Sequence, residues 1–273
     1  MMRRKNPGVI LFGASLDLTS SYRSGSRFGP QQIRAAEEGL EDYSVALERD
    51  VRDVKVIDHG DLELPPGHLA GSLARIGEEA AAAFDNGMAC VALGGEHLIT
   101  FPVVKAALER YPDLAVLQID AHADLAERYR GELLTHATVM KRVVDLLGPG
   151  RLVQLGIRSA TAEEAAFASE QTHLFTGSPP DMAQVVGLLA GRPVYLTIDI
   201  DVVDPAFAPG VSYPEPGGWS SGELFQVLSE MAGLDIVGMD LVEVCPPYDP
   251  AGITAALAAK VLRESLLTFF YPR

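Results

Sequence analysis

Asp120-Ala121-His122-Ala123-Asp124 sets two acids and an imidazole at alternate positions, directly after the apolar run 114–119 (LAVLQI). That run reads as a buried strand, and an extended backbone would carry Asp120, His122 and Asp124 to one side. Such a trio packs poorly in a core and holds a cation well. A second pair, Asp199 and Asp201, follows the apolar run 194–196, and His97 closes Gly94-Gly95-Glu96-His97 behind the run 89–93. Four carboxylates brought together would repel and raise one another's pKa. Two divalent ions balance four negative charges, whereas one leaves the cluster two charges short. Six oxygen and imidazole donors with bridging carboxylates suit a binuclear centre, its ions roughly 3.5–4 Å apart. The lack of thiolate disfavours structural zinc. The two imidazoles suit Mn2+ better than Mg2+, with nickel, cobalt and iron left open. Two ions that share a water lower its pKa towards neutrality, which supplies a hydroxide nucleophile without Ser or Cys. The chemistry expected is metal-assisted hydrolysis.

The elements that must position these residues follow from hydrophobic periodicity. Strands are expected at 8–13, 54–58, 89–93, 114–119, 151–157, 172–175, 193–200 and 235–242. Helices are expected from 31 and over 69–86, 99–111, 136–147, 161–169, 182–190, 221–232 and 254–270. Alternation of strand and helix predicts a mostly parallel sheet of about eight strands with helices on both faces. No linker or change of composition divides the chain, so residues 1–273 are expected to form one domain. In open parallel sheets ligands bind beyond the carboxyl ends of the strands. His97, the 120–124 trio, the Asp199–Asp201 pair and Glu243 all follow predicted strands, so four segments converge on one edge. Lone strand-end acids such as Asp58 and Asp204 read as caps or turn residues. His59, His68 and His173 read as packed or surface residues.

Composition narrows the partners. Twenty-two basic against 37 acidic residues give a formal charge of −15, which argues against nucleic acid or an anionic membrane. Cys90 and Cys245 have no CxxC spacing, consistent with a cytoplasmic chain without structural disulfides. The basic segment 1–7 precedes only a short apolar run, so neither a signal peptide nor a membrane span is expected.

With these motifs in order, the chain resembles the ureohydrolases, the family of arginases and agmatinases. The resemblance rests on Gly94-Gly95-Glu96-His97, Asp120-Ala121-His122-Ala123-Asp124 and Asp199-Ile200-Asp201-Val202-Val203-Asp204-Pro205. It extends from the glycine-rich loop 22–30 to Asp240-Leu241-Val242-Glu243-Val244. It implies a three-layer α/β/α fold, a dimanganese centre, hydrolysis of a guanidino group to urea and an amine, and a trimeric or hexameric assembly. By position, His97, Asp120, His122, Asp124, Asp199 and Asp201 match the metal ligands. His136 matches the proton-shuttle histidine, and Glu243 the glutamate that holds the guanidinium. Asp124 is expected to contact the bridging hydroxide as well and to pass its proton to the leaving amine.

Substrate choice is read from departures. Arginases usually place an asparagine two residues beyond the last Asp of this motif, where this chain has Ala126. The stretches 127–136 and 240–249 look like the agmatinase version. Agmatine ends in a cationic amine, and Glu127, Tyr213 and Glu215 are the candidate contacts for that tail. Many agmatinases read Gly-Thr-Gly-Thr-Pro where this chain has Gly210-Val211-Ser212-Tyr213-Pro214, so Tyr213 reshapes the site. Guanidinobutyrate competes within the same chemistry, and a formimino substrate is a weaker candidate. Two readings of another class stand beside these: a single-zinc deacetylase acting on acetylated polyamines, and a non-catalytic metal-binding homologue.

Overall fold

In the computed structural model, which describes residues 8–272, the apolar runs become strands and the amphipathic stretches helices. The basic segment 1–7 lies outside the described residues. The strands are β1 (Val9–Ala14), β2 (Tyr43–Ser44), β3 (Arg49–Asp50), β4 (Val56–Asp61), β5 (Ala89–Gly94), β6 (Ala115–Ile119), β7 (Leu152–Ile157), β8 (His173–Thr176), β9 (Pro193–Asp199) and β10 (Asp235–Val242). The helices are α1 (Gly29–Glu37), α2 (Leu69–Asp85), α3 (Thr100–Arg110), α4 (Val139–Leu147), α5 (Ala162–Gln171), α6 (Met182–Leu189), α7 (Ser221–Glu230) and α8 (Ile253–Phe269).

Eight strands form one sheet in the order β4-β1-β5-β10-β9-β6-β7-β8, and every neighbouring pair is parallel. Alternate strand residues feed two cores. Val9 and Leu11 of β1 pack on one face with Ile33 of α1, Leu224 of α7 and Leu262 of α8. Ile10 and Phe12 pack on the other with Ile76 of α2, Val103 of α3 and Val143 of α4. A sheet buried on both faces needs apolar residues at every position, which is why its strands read as continuous hydrophobic runs. The expected three-layer α/β/α sandwich is the architecture found.

Strand order is what positions the site. β9 and β10, last in sequence, insert between β5 and β6 and make β5-β10-β9-β6 the middle of the sheet.

Local differences from expectation have local causes. The strand expected at 54–58 runs instead over Val56–Asp61. Residues 51–53 form a 3-10 turn, in which the Asp50 carboxylate accepts the Arg52 N–H at 2.9 Å. A small antiparallel hairpin, β2 with β3, was not anticipated, because two residues per strand are too few to show a period of two. The helix expected from His136 begins as a 3-10 turn over His136–Thr138 and becomes α-helical at Val139.

His59, His68, Asp58 and Asp204, read as structural, have structural partners. His68 caps α2, accepting the Gly71 N–H at 2.8 Å. His59 pairs with Glu79 at 2.7 Å, Asp58 pairs with Arg34, and Asp204 accepts the N–H groups of Ala206, Gly217 and Gly218. Cys90 and Cys245 are buried free thiols. No helix among the described residues is long and apolar enough to cross a membrane.

Candidate metal centre and its cleft

The carboxyl ends of the four central strands deliver the predicted donors to one place. His97 Nδ1 lies 3.1 Å from Asp120 Oδ2, 3.1 Å from Asp124 Oδ2 and 3.5 Å from Asp199 Oδ2. His122 Nδ1 lies 2.9 Å from Asp201 Oδ2 and 3.7 Å from Asp120 Oδ1. Two clusters able to hold an ion result, His97–Asp120–Asp124 and Asp120–His122–Asp201, and they share Asp120. Asp199 joins the first through His97.

The backbone that achieves this is not the extended run expected for 120–124. β6 ends at Ile119, the His122 N–H turns back to Asp120 Oδ1 at 2.6 Å, and Asp124 has φ 54°. Alternation alone therefore does not bring the trio together; a tight turn and a left-handed residue do. Glu243 is also left-handed, at φ 66°. A residue with a Cβ costs of order 1–3 kcal/mol in this region. The surroundings hold both in place. The Asp124 carbonyl accepts N–H groups from Met140 and Lys141, and the Glu243 N–H donates to Gly95 O at 2.9 Å. Gly95 must itself be glycine, since a Cβ there would stand 1.9 Å from the Leu16 carbonyl oxygen.

Electrostatics make the cluster a cation site. Burial opposes charge on both histidines, yet the carboxylates outweigh it: Asp120 and Asp124 hold His97 well above its usual range, and Asp201 with Asp120 pushes His122 up to about 12. Burial, with Asp201 and Asp120 adding, raises Asp199 far above the usual carboxylate range, and burial lifts Asp124 to about 7. Buried negative charge of this density demands positive charge, from protons or from divalent ions.

The geometry favours ions. Thr197 Oγ1 donates to Asp240 Oδ1 at 2.5 Å and so accepts from His97 Nε2–H at 2.9 Å. Thr100 and Tyr195 hydroxyls also donate to Asp240. His97 Nδ1 is buried and has no hydrogen-bond alignment with any of the three carboxylates around it. Donor atoms held this close without hydrogen-bond alignment are arranged as ligands about a shared ion would be. The residues present therefore fit a binuclear metal centre.

Several supporting residues escaped sequence reasoning. Gln118 Nε2 donates to Asp120 Oδ2 at 2.7 Å, and Gln154 Nε2 donates to Gln118 Oε1 at 2.6 Å. Arg158 donates to the carbonyls of Asp201, Val202 and Glu215, tying the metal loop to the cleft wall. A signal for some of them was available: Gln118, Thr197 and Asp240 are polar residues inside otherwise apolar strands, where each must find a partner.

Above the centre opens a cleft of about 380 Å³, lined by His136, Glu243, Tyr22, Tyr129, Tyr213 and Glu215 as well as by metal-site residues. Glu243 Oε1 accepts the His97 N–H at 2.8 Å, while Oε2 is buried without a partner. Burial, reinforced by Glu96, pushes its pKa up to about 8. His136 lies under Tyr213, stacked at 5.0 Å and 21°, with Tyr129 edge-on at 5.3 Å. Burial, then the positive charges of His122 and His97, lowers its pKa to about 4. Of the three candidate tail contacts, Tyr213 and Glu215 reach the cleft and Glu127 does not. Its exposed carboxylate pairs with Lys141 at 3.1 Å and Arg142 at 3.3 Å, cations of α4 that draw it outward.

A parallel α/β/α sandwich with a candidate binuclear centre at the carboxyl edge of its central strands defines the class of metal-dependent hydrolases. The family model "Arginase family" matches residues 7–268, and the chain belongs to that family. It is 46% identical over 264 residues to the agmatinase of Bacillus anthracis, covering 95% of this chain and 91% of that one. Identity to the guanidinobutyrase of Pseudomonas aeruginosa is 37%, over 93% and 84% of the two chains. A crystal structure of a provisionally assigned agmatinase from Clostridium difficile superposes with a TM-score of 0.94 at 39% identity, covering 97% of each chain.

Proposed function

We propose that the protein hydrolyses the guanidino group of agmatine, releasing urea and putrescine, with two Mn2+ ions at His97, Asp120, His122, Asp124, Asp199 and Asp201. The observation that carries this reading is the free, buried Oε2 of Glu243, which lines the same cleft as the metal donors. A buried carboxylate with an unpaired oxygen is a receptor for a planar cation bearing paired N–H donors. Bound at the centre, divalent ions supply the Lewis acidity that activates a water molecule at neutral pH.

The chain's own residues do the rest. Glu243 orients the guanidinium with its carbon towards the donor set, and Asp124 guides the attacking water. Attack gives a tetrahedral carbon. The bond to the aliphatic nitrogen then breaks as Asp124 passes the water's proton to that nitrogen, so amine and urea leave. His136, neutral at neutral pH, moves a proton between the cleft and solvent.

Agmatine is favoured over its relatives by the cleft wall. Glu215 and the tyrosines line it, and none of its lining residues is Lys or Arg. A cationic tail finds an acid and aromatic faces there, while the nearby cations Arg23 and Arg130 are set over the Tyr22 and Tyr129 rings and do not line the cleft. A small cationic guanidine as substrate with no nucleic-acid or membrane partner, assembly as a trimer or hexamer, cytoplasmic residence and a place in polyamine biosynthesis belong to the same reading, on the strength of the family resemblance.

The test is urea release from agmatine, arginine, guanidinobutyrate and guanidinopropionate with Mn2+ present. Agmatine should be turned over fastest. No urea from any of the four would sink the proposal, and a preference for arginine or guanidinobutyrate would remove its substrate half.

A further inference from the structure

The loop after β1 enters the cleft and organises His136, and none of its residues was singled out for that role. Thr19 Oγ1 donates to Glu96 Oε1 at 3.0 Å. The same oxygen stands 3.0 Å from the His136 backbone nitrogen, whose N–H it accepts, and 3.1 Å from His136 Nδ1. A hydroxyl has one proton to give and two lone pairs. With Glu96 ionised and the hydroxyl proton committed to it, both lone pairs accept from His136, and Nδ1 carries a hydrogen. Nε2 is left as the bare nitrogen.

Glu96 is fully buried, and its other oxygen accepts the Thr19 N–H at 2.7 Å and the Ser20 N–H at 3.2 Å. The carboxylate thus fixes both the rotation of the Thr19 hydroxyl and the path of the loop. Two residues on, Ser21 Oγ meets the hydroxyls of Tyr129 at 2.6 Å and Tyr213 at 2.8 Å. Those are the two rings packed against the His136 imidazole. One short segment thereby sets the tautomer of His136 through Thr19 and its ring plane through Ser21.

We propose that Glu96, acting through the Thr19 hydroxyl, is the positioning residue that fixes His136 in its Nδ1–H form, so that Nε2 takes and releases the proton in the cleft. The arrangement is a carboxylate–hydroxyl–imidazole relay, in which the threonine stands where a carboxylate directly orients the histidine in acyl-transfer triads. When Nε2 takes a proton, the Nδ1–H bond to Thr19 persists and the Glu96 charge lies one hydroxyl away. The inference rests on the assignment of His136 as proton carrier, so one arm of its test is independent of turnover.

That arm is long-range 1H–15N correlation of the imidazoles in the full chain loaded with diamagnetic Zn2+. Wild-type His136 should show a protonated Nδ1 and a bare Nε2, and Thr19→Val should show a mixture of tautomers. In the kinetic arm, with Mn2+ and agmatine, Thr19→Val should lower kcat about 10–100-fold with KM little changed, and Thr19→Ser should restore it. Metal content and melting temperature, measured alongside, should match the wild type. A wild-type His136 protonated on Nε2 overturns the proposal even if no substrate is turned over. So does a Thr19→Val enzyme with wild-type kcat, or a Thr19→Ser enzyme no better than Thr19→Val.

Discussion

Asp120 stands between His97 and His122, with Oδ2 3.1 Å from Nδ1 of the first and Oδ1 3.7 Å from Nδ1 of the second. One fully buried carboxylate thus belongs to both halves of the centre, and Gln118 and the His122 N–H hold its two oxygens apart for that purpose.

Because Asp120 is shared, its loss should damage both halves. Asp120→Asn is expected to reduce bound Mn2+ from two per chain to less than one, while Asp201→Asn should lose only one. Metal analysis after reconstitution and desalting measures this. Two retained ions in Asp120→Asn would show that the halves do not depend on the shared carboxylate.

Thr197 orients His97 by accepting from Nε2 and donating to Asp240. Removing an outer partner of this kind costs about 10–100-fold in metal affinity or activity. Thr197→Val should therefore weaken Mn2+ binding by that factor in a chelator competition, with Thr197→Ser recovering most of it. Equal affinity in all three proteins would assign the hydroxyl to packing alone.

Glu243 offers its free Oε2 to the substrate while Oε1 stays on the His97 N–H. Breaking a buried charge pair costs about 2–5 kcal/mol, which is at least a ~30-fold effect. Glu243→Gln is expected to lose that much in kcat/KM for agmatine with two Mn2+ still bound. Unchanged kinetics would mean that the guanidinium is held elsewhere.

The pH dependence of stability should depend on metal. Burial holds Glu243 up to about 8 and both Asp124 and Glu96 to about 7, against unfolded carboxylates near ~4.3. His122 is held up to about 12 by Asp201 and Asp120, despite its burial, against an unfolded value of about 6.5. Raised acids and raised histidines act in the same direction here. The folded chelated chain binds more protons than the unfolded one from about pH 5 to 8, so its stability falls as pH rises. Asp120, held low by His122 and His97 in spite of burial, opposes this trend only at more acid pH, and His136, lowered to about 4 chiefly by burial, offsets part of it below about pH 6.5. In thermal melts the chelated protein should lose Tm between about pH 5.5 and 8, and Mn2+ should restore more at the upper end. A chelated Tm that rose over that range would remove the charge-balance account of the site.

Much of the candidate site was legible because acids and imidazoles cannot hide in an apolar strand pattern. The four clusters that follow apolar runs were found from residue type and spacing; the structure brings the six candidate donors together, five in the two candidate ion-holding groups and Asp199 3.5 Å from His97. Glu127 failed because its sequence distance from Asp124 says nothing about direction, and two cations on α4 pull it to the surface. Gln118, Thr197 and Asp240 were visible as polar breaks in strands, but their partners lie on neighbouring strands whose adjacency is not written locally. Thr19 and Glu96 lie 77 residues apart, so nothing in the sequence announces their hydrogen bond.

What the sequence determined by itself, then, was local: strands with apolar residues on both faces, helices with one apolar side, and acids and imidazoles at strand ends. Periodicity and burial act over a few residues, and a single chain displays them directly. The tertiary structure alone decided that β9 and β10 fold back between β5 and β6. That insertion lets the Asp199–Asp201 pair reach the 120–124 turn and joins Glu243 to His97. It also decided that Asp124 and Glu243 are left-handed, a strain that only surrounding packing can impose. The trio after β6 converges through that turn, and not through the alternation its spacing suggested.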